Sequence, residues 1–333
     1  MRQLVTGGAG FIGSAYARHV VAERPDDHLV VLDALTYAGT RTNLTEIDDR
    51  LTFIEGDIGD TDLVARILSE HRIDVIVNFA AESHNSYAVL DPGRFFRTNV
   101  LGTQGLLEAA RQVGVGRFHH VSTCEVYGDL DLDADEAFTE ESAYRPRTPY
   151  SASKAAADHV VRCYGETYGL PVTITNSANT YGPHQLPEKV IPLFATHALD
   201  GRPLPIYESK QHRREWIHVD DHCRAIDVVI AQGRVGETYH VGTGVERSVE
   251  QVAEAVLAEL GMPDAPRTIV PDRPGHDRRY LLDSTKIRSE LAWAPQVGWD
   301  EGIAATISWY VDHPSWWRPL LDRSAVAEST AWR

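Results

Sequence analysis

Cysteine is scarce in this 333-residue chain, and Cys124, Cys163 and Cys223 follow no CxxC or Cys/His metal spacing. That excludes a disulfide framework and a thiolate-built metal site, so no metal is expected, and a reducing cytoplasm is the expected compartment. Positive charge is also short. Lys and Arg number 32 against 48 Asp and Glu, a formal charge of −16, which argues against nucleic acid or an anionic membrane as partner. No apolar run nears the roughly 20 residues of a membrane helix, and neither repeats nor low-complexity stretches occur. Because "RQLVTGG" already reads as strand and turn from residue 2, no room is left for a signal peptide. What is present is 43% hydrophobic, enough for a large core, and the length suits one large or two modest domains.

Glycine is where the pattern begins. "RQLVTGGAGFIGSAYARHVV" reads as an apolar strand, a glycine turn and an amphipathic helix, with Gly8, Gly10 and Gly13 spaced GxGxxG and Gly7 adding a GxxGxxG variant. Such a turn lets backbone N–H groups approach a pyrophosphate at a helix N-terminus. Alone the motif is a weak signal. Here a second strand, "HLVVLDA", ends in Asp33 about twenty residues beyond Gly13, where a carboxylate binds ribose hydroxyls and repels a 2′-phosphate, favouring NAD over NADP. Further strands end at Asp57-Ile58, at Ala80-Ala81 and in "VSTCEVYG", and "LPVTITNSANTYG" supplies a sixth, with helical patterns between them. This alternation predicts a doubly wound parallel α/β sheet, a Rossmann-type fold that places ligands at the carboxyl ends of the strands. The less regular second half predicts a smaller α+β cap domain interleaved with the first. The expected boundaries are 1–178 plus about 217–246 for the dinucleotide domain, and about 179–216 with 247–333 for the cap.

Tyr150 and Lys154 form Tyr-x-x-x-Lys in "TPYSASKAAADHV", one helical turn apart on the same face. A phenol with an ordinary pKa of about 10 must be lowered by roughly 3 units to act as a base near neutrality. Lys154 and a positive nicotinamide are the expected sources, with Tyr150 then accepting a hydroxyl proton as hydride leaves.

With these residues in place, the chain resembles the extended short-chain dehydrogenase/reductases that act on nucleotide sugars, the dTDP-glucose 4,6-dehydratases above all. The resemblance runs nearly end to end, through "VTGGAGFIGS", "LDALTYAGT", "FAAESH", "TNVLGT", "STCEVYGD", "PYSASKAAADH", "YGPHQLPEKVIPL", "REWIHVDDHCRAI", "DRPGHDRRY" and the "LAWAP…WY…WW" tail. It implies a tightly bound NAD, regenerated each turnover, held by Gly7, Gly10, Phe11, Ile12, Gly13, Asp33, Thr36, Asp57, Ile58, Ala80, Ala81, Asn99, Tyr150 and Lys154. It implies that Tyr150 takes the sugar O4 proton with Thr123 as O4 partner, and that Glu125 removes the C5 proton before the 6-hydroxyl departs as water. Ser83, His84, Tyr87, Asn179, Glu188, Lys189, Arg214, Arg273 and His276 are implied to line the nucleotide-sugar site. A homodimer is implied by the helices through "TNVLGTQGLLEAARQ" and "YSASKAAADHVVRCYGETYG".

The departures cluster around the sugar. The family's acid, an Asp beside the Glu, is replaced by Cys124, and its "ESHVDRSI" becomes "ESHNSYAV". A thiol is already protonated near neutrality but is a weaker acid than a carboxyl by about 4–5 pK units. Cys124 therefore reads as a modest proton donor, as a spectator while Glu125 handles both protons, or, least well supported, as a nucleophile without a partner to ionise it. Two dehydrations fit: a 4,6-dehydration with a substituted acid, or a 5,6-dehydration that returns hydride to C4 and leaves an exocyclic alkene, as in antibiotic pathways. A C4 epimerase or decarboxylase would not need Glu125, and a non-enzymatic NAD sensor would not need Tyr150 and Lys154.

Overall fold

The computed structural model describes residues 1–321, so the last part of the expected cap domain lies outside the described residues. Among the described residues the strands are β1 Arg2–Thr6, β2 His28–Asp33, β3 Leu51–Glu55, β4 Val75–Asn78, β5 Arg117–Thr123, β6 Val172–Ser177, β7 Asn179–Tyr181, β8 Leu204–Tyr207, β9 Arg213–His218, β10 Thr238–Val241, β11 Glu246–Ser248 and β12 Arg267–Val270. Seven of them form one sheet in the order β10-β6-β5-β4-β1-β2-β3, every pairing parallel. The inner strands are continuous apolar runs because both faces are covered. Tyr16 and Val20 of helix Phe11–Glu23 and Ile226 of helix Val219–Gln232 pack with Val5 and Val31 on one side. Helices Thr61–Glu70, Thr103–Val113 and Pro149–Tyr168 cover the other through Leu68, Leu106 and Val161.

The chain winds outward from β1 through β2 to β3, then returns to start β4 on β1's other side, pairing Val5 with both Val31 and Val77. That reversal opens a crevice beyond the carboxyl ends of β1 and β4, where such sheets bind ligands. Above it, β7, β9 and β11 make a small sheet and β8 pairs with β12. Phe194, Trp216, Val256, Ile307 and Trp317 form a separate core for these elements.

Two details differ from the sequence reading. "LPVTITNSANTYG" is two strands: β6 stops at Ser177, the Ala178 N–H donates to the Val241 carbonyl at 3.0 Å, and β7 pairs Asn179 with Trp216 in the small sheet. The large sheet also gains the four-residue β10, which pairs with β6 and was too short to stand out among its polar neighbours.

Candidate active site

A continuous cleft of about 450 Å³ runs from the glycine turn across the ends of β1, β4 and β5 to the small sheet. Its first half is shaped by backbone. A Cβ on Gly7 would lie 2.7 Å from the Ala80 backbone, and one on Gly13 only 2.4 Å from the Gly7 carbonyl, so neither position admits a side chain. Gly7 also has φ +65°, a left-handed conformation suited to glycine. The turn delivers the chain to the N-terminus of helix Phe11–Glu23, whose first N–H groups have no intrahelical partner and face an anion favourably. Asp33 is fixed at the end of β2 by N–H donors from Ala9 at 2.9 Å and Leu35 at 2.8 Å. Burial raises its pKa, and those two bonds oppose the shift. Thr36, Asp57, Ile58, Ala80 and Ala81 line the same half. A glycine cradle at a helix N-terminus with a fixed carboxylate one strand away fits NAD.

The middle of the cleft carries the chemistry. Thr148 caps helix Pro149–Tyr168, accepting the Ser151 N–H at 3.1 Å while the Ser151 hydroxyl accepts from the Thr148 N–H, and Pro149 occupies the first turn. The helix thereby presents Tyr150 and Lys154 to the ends of β5. Tyr150 is hydrogen-bonded to the Thr123 side chain; burial first, and then Glu125, push its phenol well up, while the Thr123 bond pulls it down. Lys154, 3% exposed, donates to the Val121 carbonyl at 2.8 Å and meets His120 Nε2 at 3.2 Å. Burial lowers its pKa to about 8, with Asp158 opposing. Lys154 is therefore anchored to the β5 backbone, and the Thr123 side chain acts to lower the phenol. Glu125 is the second residue of the tight turn Cys124–Tyr127, and its carboxylate accepts from Asn85 Nδ2 at 3.2 Å.

The far half is built by side chains. Ser83, His84, Asn179, Glu188, Lys189, Arg214, Arg273 and His276 all line it. Lys189 donates to the Ser83 carbonyl at 3.0 Å, and burial together with Lys189 and Arg273 depresses His84. Arg214 is held over the Tyr280 ring at 4.5 Å and donates to the Arg213, Arg278 and Asp277 carbonyls. The buried Arg273 Nε has no hydrogen-bond partner among the described residues, and burial with the neighbouring Arg273 and Arg214 lowers His276.

Three expected site residues sit off the cleft wall. Cys124 is 1% exposed and packs in the core with Val126 and Tyr127, because the tight turn that follows β5 swings its side chain inward. Burial, then Glu125 and Glu215, raise its thiol well above the ordinary range, so no reactive thiolate forms. Asn99 lies behind the wall: its amide grips the Glu82 N–H and carbonyl at 2.8 and 3.0 Å and donates to Ser153 at 2.8 Å. Tyr87 packs edge-on against His84 and Tyr37 instead of facing the cleft. Conversely, the sequence reading passed over Asn85, Tyr207, Trp216 and Arg247, which do line the cleft. Asn85 lies inside the altered "ESHNSYAV", so that departure itself marked its place.

Comparison with known proteins agrees with this geometry. Residues 4–306 match the family model described as GDP-mannose 4,6 dehydratase. A dTDP-glucose 4,6-dehydratase of Xanthomonas campestris pv. campestris (strain B100) is 47% identical over 341 residues, covering 96% of each chain. One from Mycobacterium tuberculosis is 47% identical over 97% of each. The dTDP-glucose 4,6-dehydratase DesIV of Streptomyces venezuelae, solved with NAD bound, superposes with a TM-score of 0.93 at 50% identity, covering 96% of this chain and all of that one. The UDP-glucose 4-epimerase of Thermotoga maritima follows at 30% identity and TM-score 0.87, over 94% of this chain and 99% of its own. A glycine cradle, a Thr/Tyr/Lys centre and a charged far wall thus occur together on a chain that belongs to the GDP-mannose 4,6-dehydratase family, the NAD-dependent nucleotide-sugar dehydratases of the extended short-chain dehydrogenase/reductase fold.

Proposed function

We propose that this protein dehydrates a nucleoside-diphosphate hexose of the dTDP-glucose type to a 4-keto-6-deoxy sugar. The observation that carries the reading is the placement of Glu125 on the same stretch of cleft as the hydrogen-bonded Thr123–Tyr150 pair. An epimerase needs the pair alone, whereas water loss needs a carboxylate beside it. NAD, when bound, supplies reversible hydride transfer, so the sugar is oxidised only in passing. Tyr150 takes the O4 proton, with Thr123 hydrogen-bonded to the phenol. The C4 ketone acidifies C5–H, and Glu125 removes that proton. With Cys124 packed behind the wall, Glu125 also returns the proton: the C5–H and C6–O6 bonds break, C5=C6 forms, O6 leaves as water, and Glu125 is again a carboxylate. C6 then receives the hydride taken from C4 and C5 a proton from solvent, which gives the 4-keto-6-deoxy sugar. Lys189, Arg214 and Arg273 supply cationic groups of the kind that bind phosphate oxygens.

A second reading, 5,6-dehydration with hydride returned to C4, is favoured by the concentration of altered residues around Glu125. Incubation with dTDP-, UDP- and GDP-hexoses deuterated at C4 separates the two. Deuterium at C6 of a 4-keto product supports the first, and deuterium at C4 beside an alkene supports the second. Absence of water loss with every sugar overturns both. We also propose a homodimer, formed through the exposed Phe96, Leu101 and Tyr168 on adjoining helices, in the cytoplasm where the three unpaired cysteines stay reduced. Sedimentation showing only monomer at micromolar concentration would refute the dimer.

A further inference from the structure

We infer that Asn85 is the positioning residue of the elimination step, an inference that rests on the functional reading above. Its amide is oriented at both ends. Oδ1 accepts from the Thr148 hydroxyl at 3.1 Å, and Nδ2 donates to Glu125 Oε2 at 3.2 Å. The Thr148 hydroxyl accepts from the Ser151 N–H at 3.1 Å and lies 3.0 Å from the Ser151 hydroxyl, which can give its proton to the Thr148 carbonyl at 3.1 Å. The Thr148 proton then goes to Asn85 Oδ1 and turns the NH2 group toward the carboxylate.

The pair of bonds links the two catalytic bases mechanically. Thr148 caps the helix that carries Tyr150, and Asn85 spans from that cap to Glu125, so the base at O4 and the base at C5 share one frame. Asn85 itself stands at the start of helix Asn85–Leu90 and lines the cleft. The surroundings of Glu125 show why the carboxylate needs such a tether. Tyr150, Cys124, Asp277 and Tyr280 all lie near enough to be raised by its charge, and Asp277 is itself a buried carboxyl. A carboxylate among these groups is drawn toward any donor, and the amide fixes the oxygen left to reach C5.

The sequence carries a matching signature. Asn85 occupies the place of Val in the family's "ESHVDRSI", and Cys124 that of the acid next to Glu125, so two changes fall on one carboxylate. An amide has no proton to surrender and cannot replace the lost acid. It holds Glu125 in one orientation, as required of a single group that takes a proton from C5 and delivers it to O6.

The test separates oxidation from elimination by following reduced nicotinamide in single turnovers. With Asn85→Leu, the rise is expected to match wild type while the decay, and solvent deuterium entry at C5, slow by about 10- to 100-fold, the usual worth of a hydrogen bond to a charged group. KM is expected to stay unchanged, and Asn85→Gln, which keeps the donor, is expected to recover part of the decay rate. Should Asn85→Leu not fold, Asn85→Ser, whose hydroxyl is too short to reach Glu125, gives the same ratio. Oxidation and elimination slowing together, neither changing, or a rise in KM alone would each overturn the inference. A wild-type protein that never reduces its nicotinamide on any nucleoside-diphosphate hexose overturns the functional reading and this inference with it. Normal turnover in both wild type and the Leu variant overturns only the inference.

Discussion

The two halves of the cleft are made of different material. The dinucleotide half is backbone: glycines that admit no Cβ, a helix N-terminus, and a carboxylate pinned by two N–H groups. The sugar half is side chain: Ser83, Glu188, Lys189, Arg214 and Arg273 are brought from four separate segments, two of them anchored on carbonyl groups of other segments. A backbone site fails as a unit when it is crowded. A side-chain site loses affinity one group at a time, and tolerates replacement where packing permits.

The sharpest break in that contrast is expected from Gly13→Ala. The added methyl meets backbone atoms that cannot rotate away, at 2.4 Å from the Gly7 carbonyl and 2.9 Å from the Gly8 Cα. NAD affinity measured by calorimetry should fall by about 10- to 100-fold, the scale of overpacking in a rigid site. An unchanged affinity would mean that the turn yields and is not a fixed cradle.

The second test is pH. The Lys154 amine is lowered to about 8 from 10.5, chiefly by burial, and therefore loses its proton as pH rises through 8. If its ammonium is needed, C4 oxidation declines about tenfold per pH unit above 8. The stability effect has the opposite sign. Between 8 and 10.5 the unfolded chain binds more protons than the folded one, so folding gains from this residue as pH rises through that window. Lys154→Met should flatten both trends, and an alkaline limb that survives it would belong to another group.

On the side-chain half, Arg273→Met should weaken nucleoside-diphosphate binding by about tenfold, as for one charge-assisted bond, without moving NAD affinity. Its Nε has no hydrogen-bond partner among the described residues, so little internal bonding is lost with it and the thermal midpoint should hold. Equal losses for both ligands would show that the halves are coupled. The smallest effect is expected at Cys124→Ala, with elimination kept within about twofold, since a buried thiol off the wall contributes packing and not protons. A loss near tenfold or more would restore the thiol to the proton path.

This contrast also explains what the sequence made legible. The cradle and Asp33 lie within a few dozen residues and obey a spacing dictated by one turn and one strand, so the parallel sheet and the cofactor followed from the residues. Tyr150 and Lys154 were legible because a helix fixes their relation. The bond between Asn85 and Glu125 joins residues 40 apart, and no local pattern announces it. Cys124 was expected in the site because it stands at the end of a strand, in the place of the family's acid; β5 ends at Thr123, and the tight turn that follows packs the thiol in the core. The expected domain boundary fell after residue 178, yet "LPVTITNSANTYG" still read as one strand, because only the separate partners of β6 and β7 divide it.

That break bears on how such proteins exchange specificity. From Ser177 to Asn179 the polypeptide leaves one sheet for another, and it returns later to lay β10 beside β6, pairing Thr238 with Ile174. A chimera joined at a single crossover after residue 178 would take the edge strand of its nucleotide-binding sheet from the donor along with the new sugar wall. A recombination that alters the sugar while sparing the cofactor needs at least two junctions, flanking the stretch that ends before Val219.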